Sequence, residues 1–136
     1  MKNLKVRDLM TGNLLVLEPG DNLQKLYDLM VEKWIRHVPI VNRERKLVGL
    51  VSHRDLLRFA FPLEKGLTFP RAREALANTK IEEIMVRDVE TVGANTSIKE
   101  AVNILLENKY GCLPVVEKNE LVGILTEADF VRCAAV

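Results

Sequence analysis

The sequence predicts an α/β protein made of two copies of one small β-α-β-β-α unit, packed with pseudo-twofold symmetry. Three observations lead there. The stretch Leu47-Val48-Gly49-Leu50-Val51-Ser52-His53-Arg54-Asp55 returns as Leu121-Val122-Gly123-Ile124-Leu125-Thr126-Glu127-Ala128-Asp129. His37-Val38-Pro39-Ile40-Val41 returns as Cys112-Leu113-Pro114-Val115-Val116, and Leu9-Met10 as Ile84-Met85. The offset is 75 residues from Val6/Ile81 to Val41/Val116 and 74 from Leu47/Leu121 onward, so one residue is lost in the turn between. A period this long is not that of a solenoid. It marks a duplicated unit, in which a site in one copy has a counterpart in the other. The 136 residues suit one domain. Each half, about 55 residues, is marginal as a solitary core, so the halves are expected to pack on each other. The expected boundaries are residues 1–60 for the first repeat, 61–80 for an ordered linker and 81–136 for the second repeat.

In chain order, each copy opens with a short apolar run bounded by turn residues, Leu14 to Leu17 and Val89 to Val92, read as strands. Leu23, Leu26, Tyr27, Met30 and Trp34 then recur at helical spacing, as do Ile98, Ala101, Val102 and Leu105. Asp21 with Gln24, and Ser97 with Glu100, are the helix start signals. Val38 to Val41 and Leu113 to Val116 are strands with an internal proline. Proline donates nothing to a ladder, so Pro39 and Pro114 belong at a strand start or an edge. Polar turns, Arg43-Glu44-Arg45-Lys46 and Lys118-Asn119-Glu120, lead into strands Leu47 to Ser52 and Leu121 to Thr126. Each copy closes with a helix, Asp55 to Ala60 and Asp129 to Ala134. In the linker, Pro62, Gly66 and Pro70 punctuate the chain. Pro70 suits a first helical turn, Arg71 to Ala77 is helix-forming, and Thr79 with Glu82 resembles a capping box.

Bulk properties narrow the function classes. A net charge of +1 points to neither nucleic acid nor an acidic partner. A hydrophobic content of 48% excludes a disordered chain. Cys112 and Cys133 have no metal or redox spacing and read as buried thiols in a reducing compartment. The opening Met1-Lys2-Asn3-Leu4-Lys5 has no apolar signal core, and no apolar run is long enough to span a membrane. A cytoplasmic protein is expected. No general-base pair, metal cluster or nucleophile constellation stands out, so no catalytic residue, no metal ligand and no required cofactor is assigned, and an enzyme is not expected.

The duplicated Gly-h-h-(Ser/Thr)-x-x-Asp at Gly49 to Asp55 and Gly123 to Asp129 (h apolar), each after a Pro-h-Val, resembles a tandem pair of CBS domains, the Bateman module. Leu9-Met10 and Ile84-Met85 match the family's opening helices. The resemblance covers nearly the whole chain except Phe61 to Lys80. It implies a regulatory fold that binds adenosine-containing ligands, AMP, ADP, ATP or S-adenosylmethionine, in two clefts between the copies. It also implies a flat homodimer formed through helices. With no effector domain recognised in the sequence, the output is expected to act in trans on a partner protein.

The resemblance further implies roles. The aspartate holds the ribose hydroxyls, the Ser/Thr lies near ribose and phosphate, and the residues before the proline strand flank adenine or phosphates. Each cleft mixes the pre-proline segment of one copy with the aspartate of the other. Cleft A is thus Ile35, Arg36, His37 and Pro39 with Thr126 and Asp129. Cleft B is Thr91, Tyr110, Gly111, Cys112 and Pro114 with Ser52 and Asp55. The chemistry suits these roles. A carboxylate accepts from both cis hydroxyls of a ribose, and a helix opening favours phosphate. Carbonyls and N–H groups left unpaired around Pro39 and Pro114 would read an adenine edge. Arg36 and His37 would meet phosphates, Tyr110 would stack on adenine, and His53 or Arg54 would supply the cation that cleft B's pre-proline segment lacks.

Plainer readings accompany each assignment. Ser52-x-x-Asp55 and Thr126-x-x-Asp129 also read as helix caps, and both duties are compatible. His37 and Tyr110 also read as core or surface residues, and Cys112 as a small buried hydrophobe. Trp34 reads as core or dimer interface. A ligand-free structural or dimerisation module is the rival function.

Overall fold

The computed structural model describes residues 3–64, 69–108 and 111–135. Its elements are α1 (Val6–Leu9), α2 (Leu23–Lys33), β1 (His37–Val41), β2 (Leu47–Ser52), α3 (His53–Glu64), α4 (Phe69–Asn78), a 3-10 turn (Ile81–Glu83), α5 (Ile98–Glu107), β3 (Cys112–Glu117), β4 (Glu120–Thr126) and α6 (Glu127–Ala135). β1 pairs with β2, and β3 with β4. Among the described residues, no helix is long and apolar enough to cross a membrane.

The chain forms two compact units that do not follow the order of the repeats. One holds Leu15–Arg43 and Val48–Asp88; the other holds the segment ending at Leu14, Glu44–Leu47 and the chain from Val89 onward. Each has its own apolar core. The first gathers Leu17, Leu23, Leu26, Met30, Val38, Ile40, Val51, Leu56, Ile81 and Met85; the second gathers Val6, Val92, Ile98, Ala101, Leu105, Leu113, Val115 and Leu125. Fully burying a side chain of this size is worth about 1.5–3 kcal/mol. The lead-in of each repeat is therefore packed with the strands of the other.

The duplicated glycine permits this exchange. A Cβ at Gly49 would lie 2.5 Å from Met85 Sδ and 3.1 Å from Val86 O; one at Gly123 would lie 2.5 Å from Met10 Sδ and 3.2 Å from Thr11 O. Only glycine leaves room for that methionine and for the antiparallel bridge beside it. Leu50 N donates to Val86 O at 3.0 Å in one unit, and Ile124 N to Thr11 O at 3.0 Å in the other.

Several sequence expectations change. Leu14 to Leu17 and Val89 to Val92 are not strands: each makes one parallel bridge, Leu17 with Ile40 and Val92 with Val115. Prolines are the reason. Leu17 N donates to Pro39 O and Val41 N to Leu17 O, so the next rung needs an N–H on Pro39, which has none. Pro114 stops the Val92 bridge the same way. Both prolines stand third in their strands with that bare side at the sheet edge, as the edge reading requires.

Helix α2 starts one residue later than expected. Asn22 is its N-cap and accepts from Lys25 N at 2.9 Å, while Asp21 accepts from Glu18 N at 2.8 Å. Asp and Asn cap equally well, so periodicity does not choose between neighbours. Ser97 caps α5 as expected, accepting from Glu100 N at 3.2 Å. The Thr79–Glu82 box is displaced by one residue. Thr79 Oγ1 donates to Ala75 O at 2.6 Å, and Glu83 accepts from Lys80 N at 2.7 Å. The closing helices run longer than expected at both ends, and α4 begins at Phe69, with Pro70 in its first turn.

Trp34 is not core. It closes α2 in the left-handed region (φ 56°, ψ 38°) and is 92% exposed. Tyr27 on the same helix is exposed as well. The residue lost between copies falls in the hairpins: Lys118 and Asn119 both have positive φ, the signature of a two-residue type I′ turn. The first copy spends one more residue there.

Candidate functional site

Each unit carries one strand-to-helix junction. In the first, β2 ends at Ser52 and α3 begins. Asp55 N donates to Ser52 Oγ at 3.1 Å, and Asp55 Oδ2 accepts from Ser52 N at 2.8 Å and from Ser52 Oγ at 2.9 Å. This is a reciprocal capping box. In the second, Asp129 Oδ2 accepts from Thr126 N at 2.8 Å and from Thr126 Oγ1 at 3.3 Å. The capping role is therefore real in both copies. It occupies one carboxylate oxygen, Oδ2, and leaves Oδ1 for other chemistry.

The pre-proline segments abut these junctions. Arg36 O accepts from His53 N at 2.8 Å. In the other unit, Cys112 pairs with Thr126 and Pro114 with Ile124, and Gly111 O accepts from Glu127 N at 3.4 Å. Each unit thus brings together residues that the sequence analysis divides between clefts: Ile35 to Pro39 with Ser52 and Asp55, and Gly111 to Pro114 with Thr126 and Asp129. Thr91 stands beside the second group, since Val92 N donates to Pro114 O at 3.1 Å.

Arg36 is exposed, Ile35 and His37 are half-buried, and His53 and Arg54 are exposed. Cys112, Pro39 and Pro114 are buried, and Thr91, Gly111 and Thr126 are half-buried. Tyr110 lies outside the described residues. Gly111 has a φ of 66°, and a Cβ there would sit 3.0 Å from Glu127 Oε1, so glycine suits both the backbone and the space. One expectation is overturned. The carbonyls around the prolines are not unpaired: Pro39 O, Pro114 O and Arg36 O all accept backbone N–H groups. The bridges that stop at the prolines consume Pro39 O and Pro114 O, and the start of α3 consumes Arg36 O.

Sequence reasoning missed two arginines. Arg58 and Arg132 each stand three residues beyond the aspartate, and their recurrence in both copies was the available signal. Arg58 Nη1 lies 3.9 Å from Asp55 Oδ1, and Arg132 Nη2 contacts Asp129 Oδ1 directly. Thr11, also missed, donates from Oγ1 to Asp129 Oδ1 at 3.2 Å. A surface pocket of about 280 Å³ lined by Glu18, Pro19, Gly20, Asp21, Asn42 and Arg43 includes none of the assigned residues. Among the described residues, no three His, Cys, Asp or Glu side chains gather where they could hold a metal ion.

Burial pushes the Cys112 thiol far above the ordinary thiol range, and the negative charge of Asp129 acts in the same direction. The folded chain keeps this proton where the unfolded chain, with a thiol pKa of about 8.5, loses it. The stabilisation is complete below about pH 8.5 and declines as pH rises beyond it, with a slope approaching about 1.4 kcal/mol per pH unit. Urea titrations between pH 8 and 10 should show that slope reduced in Cys112→Ala. Equal slopes in the two proteins would reject the assignment.

The family model for the CBS domain matches residues 6–61 and 81–135. The chain belongs to the CBS-domain family. As a CBS pair it is 38% identical to a Vibrio cholerae protein assigned to acetoin utilization (AcuB), with a TM-score of 0.82 over 98% of this chain and 92% of that one. It is 31% identical to CBSX2, whose structure was solved in complex with AMP, with a TM-score of 0.80 over 96% of both chains. It is also 30% identical, over 91% of its length, to a homoserine O-acetyltransferase of Methanococcus vannielii, of which it spans 23%. The CBS pair spans 42% and 39% of the first two curated relatives it matches, so it corresponds to a part of those proteins.

Proposed function

We propose that this CBS pair is a regulatory sensor that binds an adenine nucleotide or related adenosyl compound and passes the change to a partner protein in trans. The observation that carries the reading is the second oxygen of the junction aspartate. Oδ2 of Asp55 caps α3, while Oδ1 remains to accept from ribose hydroxyls, a charge-assisted contact. Arg36 and His37 adjoin the same junction through the Arg36 carbonyl and would meet a phosphate there. We group the site by these backbone contacts: Ile35, Arg36, His37 and Pro39 with Ser52 and Asp55, and Thr91, Gly111, Cys112 and Pro114 with Thr126 and Asp129. The AMP complex of CBSX2 supports the ligand class.

Calorimetry with AMP, ATP and S-adenosylmethionine should find at least one ligand with Kd below about 1 mM, an affinity of about 4 kcal/mol or more. Asp55→Ala should weaken it by about tenfold or more. Arg36→Ala should erase most of the preference for AMP over adenosine. Heat from none of the three ligands would leave the rival reading, a ligand-free structural module, which the capping bonds of both aspartates favour. We propose no catalytic role. The acetyltransferase relative is matched over a minor part of its length and lends this chain no activity.

The same reading includes a homodimer. Val31 and Leu106 are equivalent positions in the two repeats, as are Leu57 and Val131, and all four are exposed, as is Trp34. Apolar side chains repeated on outward helix faces suit association with a second copy. Light scattering should give twice the 15.4 kDa chain mass, and Val31→Glu with Leu106→Glu should return it to one chain. A wild-type mass of one chain would reject the dimer.

A further inference from the structure

The two junctions share a motif but differ in the state of the one oxygen left for a ligand. Asp129 Oδ1 accepts from Thr11 Oγ1 at 3.2 Å and is paired with Arg132. Its side chain is 1% exposed. Among the described residues, Asp55 Oδ1 has one ion pair, to Arg58 at 3.9 Å, beyond hydrogen-bond range. Its side chain is 11% exposed.

The repeat supplies an internal control. Thr11 N and O pair with Ile124, and Val86 N and O pair with Leu50, at the same place in each unit. The position that holds the threonine bonded to Asp129 holds a valine, Val86, in the unit of Asp55. Valine matches threonine in shape and has no hydroxyl.

We propose that Thr11 and Arg132 form a latch on Asp129 that makes the two half-sites unequal. The Asp55 half takes an adenosine ligand directly; the Asp129 half takes one only when a ribose hydroxyl displaces the Thr11 hydroxyl and Arg132 from Oδ1. The inference rests on the adenosine-binding reading above. Thr11 and Arg132 act as specificity-determining residues, because the ligand must outcompete donors already in place. Losing one hydrogen bond to a charged group corresponds to roughly tenfold or more in affinity. A sensor built this way responds in two concentration ranges, a tight one reported by Asp55 and a weak one reported by Asp129.

The test is calorimetry of the full chain with AMP as the probe. In wild type Asp55→Ala should weaken the tighter site by about tenfold or more, so that no tight site remains. Adding Thr11→Val to Asp55→Ala should tighten the Asp129 site about tenfold, and Thr11→Ser in that background should return it to the weak value. Val86→Thr in the otherwise wild-type chain should weaken the tight site by a similar factor. Circular dichroism of each variant confirms that it is folded. A tight site that survives Asp55→Ala and disappears with Asp129→Ala overturns the latch. So does AMP binding that Thr11→Val and Val86→Thr both leave unchanged, although adenosine binding then stands. Absence of AMP, ATP and S-adenosylmethionine binding in every variant overturns the latch together with the sensor reading.

Discussion

A Gly49→Val variant is expected to lose more than about 3 kcal/mol of stability, beyond the range usual for overpacking. The added Cβ would meet Met85 Sδ at 2.5 Å and Cγ at 2.9 Å, and a methionine tail can swing aside. The Val86 carbonyl, 3.1 Å away, cannot. It accepts from Leu50 N at 3.0 Å, and Val86 N donates back to Leu50 O at 2.9 Å. Relief there means breaking the bridge that holds the lead-in segment. For a chain of this size 1 kcal/mol is roughly 3–5 °C of Tm, so a drop of about 10 °C or more is expected. Met85→Ala should partly rescue Gly49→Ala, because a side chain is then the main obstacle, and should not rescue Gly49→Val. A valine variant melting within about 2 °C of wild type would show that the segment is not packed as described.

Asp129→Ala should cost about 2–3 kcal/mol without any ligand present, and Asp55→Ala about 1 kcal/mol, the usual loss of a cap. Both aspartates cap a helix. Asp129 is also 4% exposed and accepts from Thr126 N, Thr126 Oγ1, Thr11 Oγ1 and Arg132. Its removal leaves donors from two segments unpaired in a buried place. Urea unfolding of the two variants side by side measures the difference. If Asp55→Ala proves the costlier change, the hydrogen-bond network around Asp129 does not contribute as its geometry implies. The measurement also separates stability from binding, because the Asp55 variant is expected to be the more stable one and the poorer binder of AMP.

Much of the molecule was legible from the repeat. Two copies of Gly-h-h-(Ser/Thr)-x-x-Asp, each after a Pro-h-Val, located both junctions, both sheets and the family. Helical periodicity placed α2 and α5, and Ser97 was found as a cap outright. The misses lay where two residues satisfy one rule equally, such as Asp21 beside Asn22, or where a bond is absent for a chemical reason that a hydrophobic run conceals. Leu14 to Leu17 has the composition of a strand, yet Pro39 lacks the N–H that a second rung would need. Trp34 continued the helical spacing one residue past the end of α2, onto the residue that turns into the left-handed region.

The sequence by itself determined that the chain is a duplicated α/β unit, with an aspartate at each strand-to-helix junction and glycine in each second strand. Only the tertiary structure decided which copy each segment packs against. Met10 meets Gly123 and Met85 meets Gly49, and nothing in the pattern distinguishes these pairs from Met10 with Gly49 and Met85 with Gly123. Duplication is the physical reason: identical motifs offer degenerate partners, and chain connectivity with close packing removes the degeneracy. The same step separates the two aspartates. They are equal as letters in a motif, but the exchange of lead-in segments bonds a threonine hydroxyl to one and places a valine in the unit of the other, and hydrogen-bond chemistry then makes them different sites.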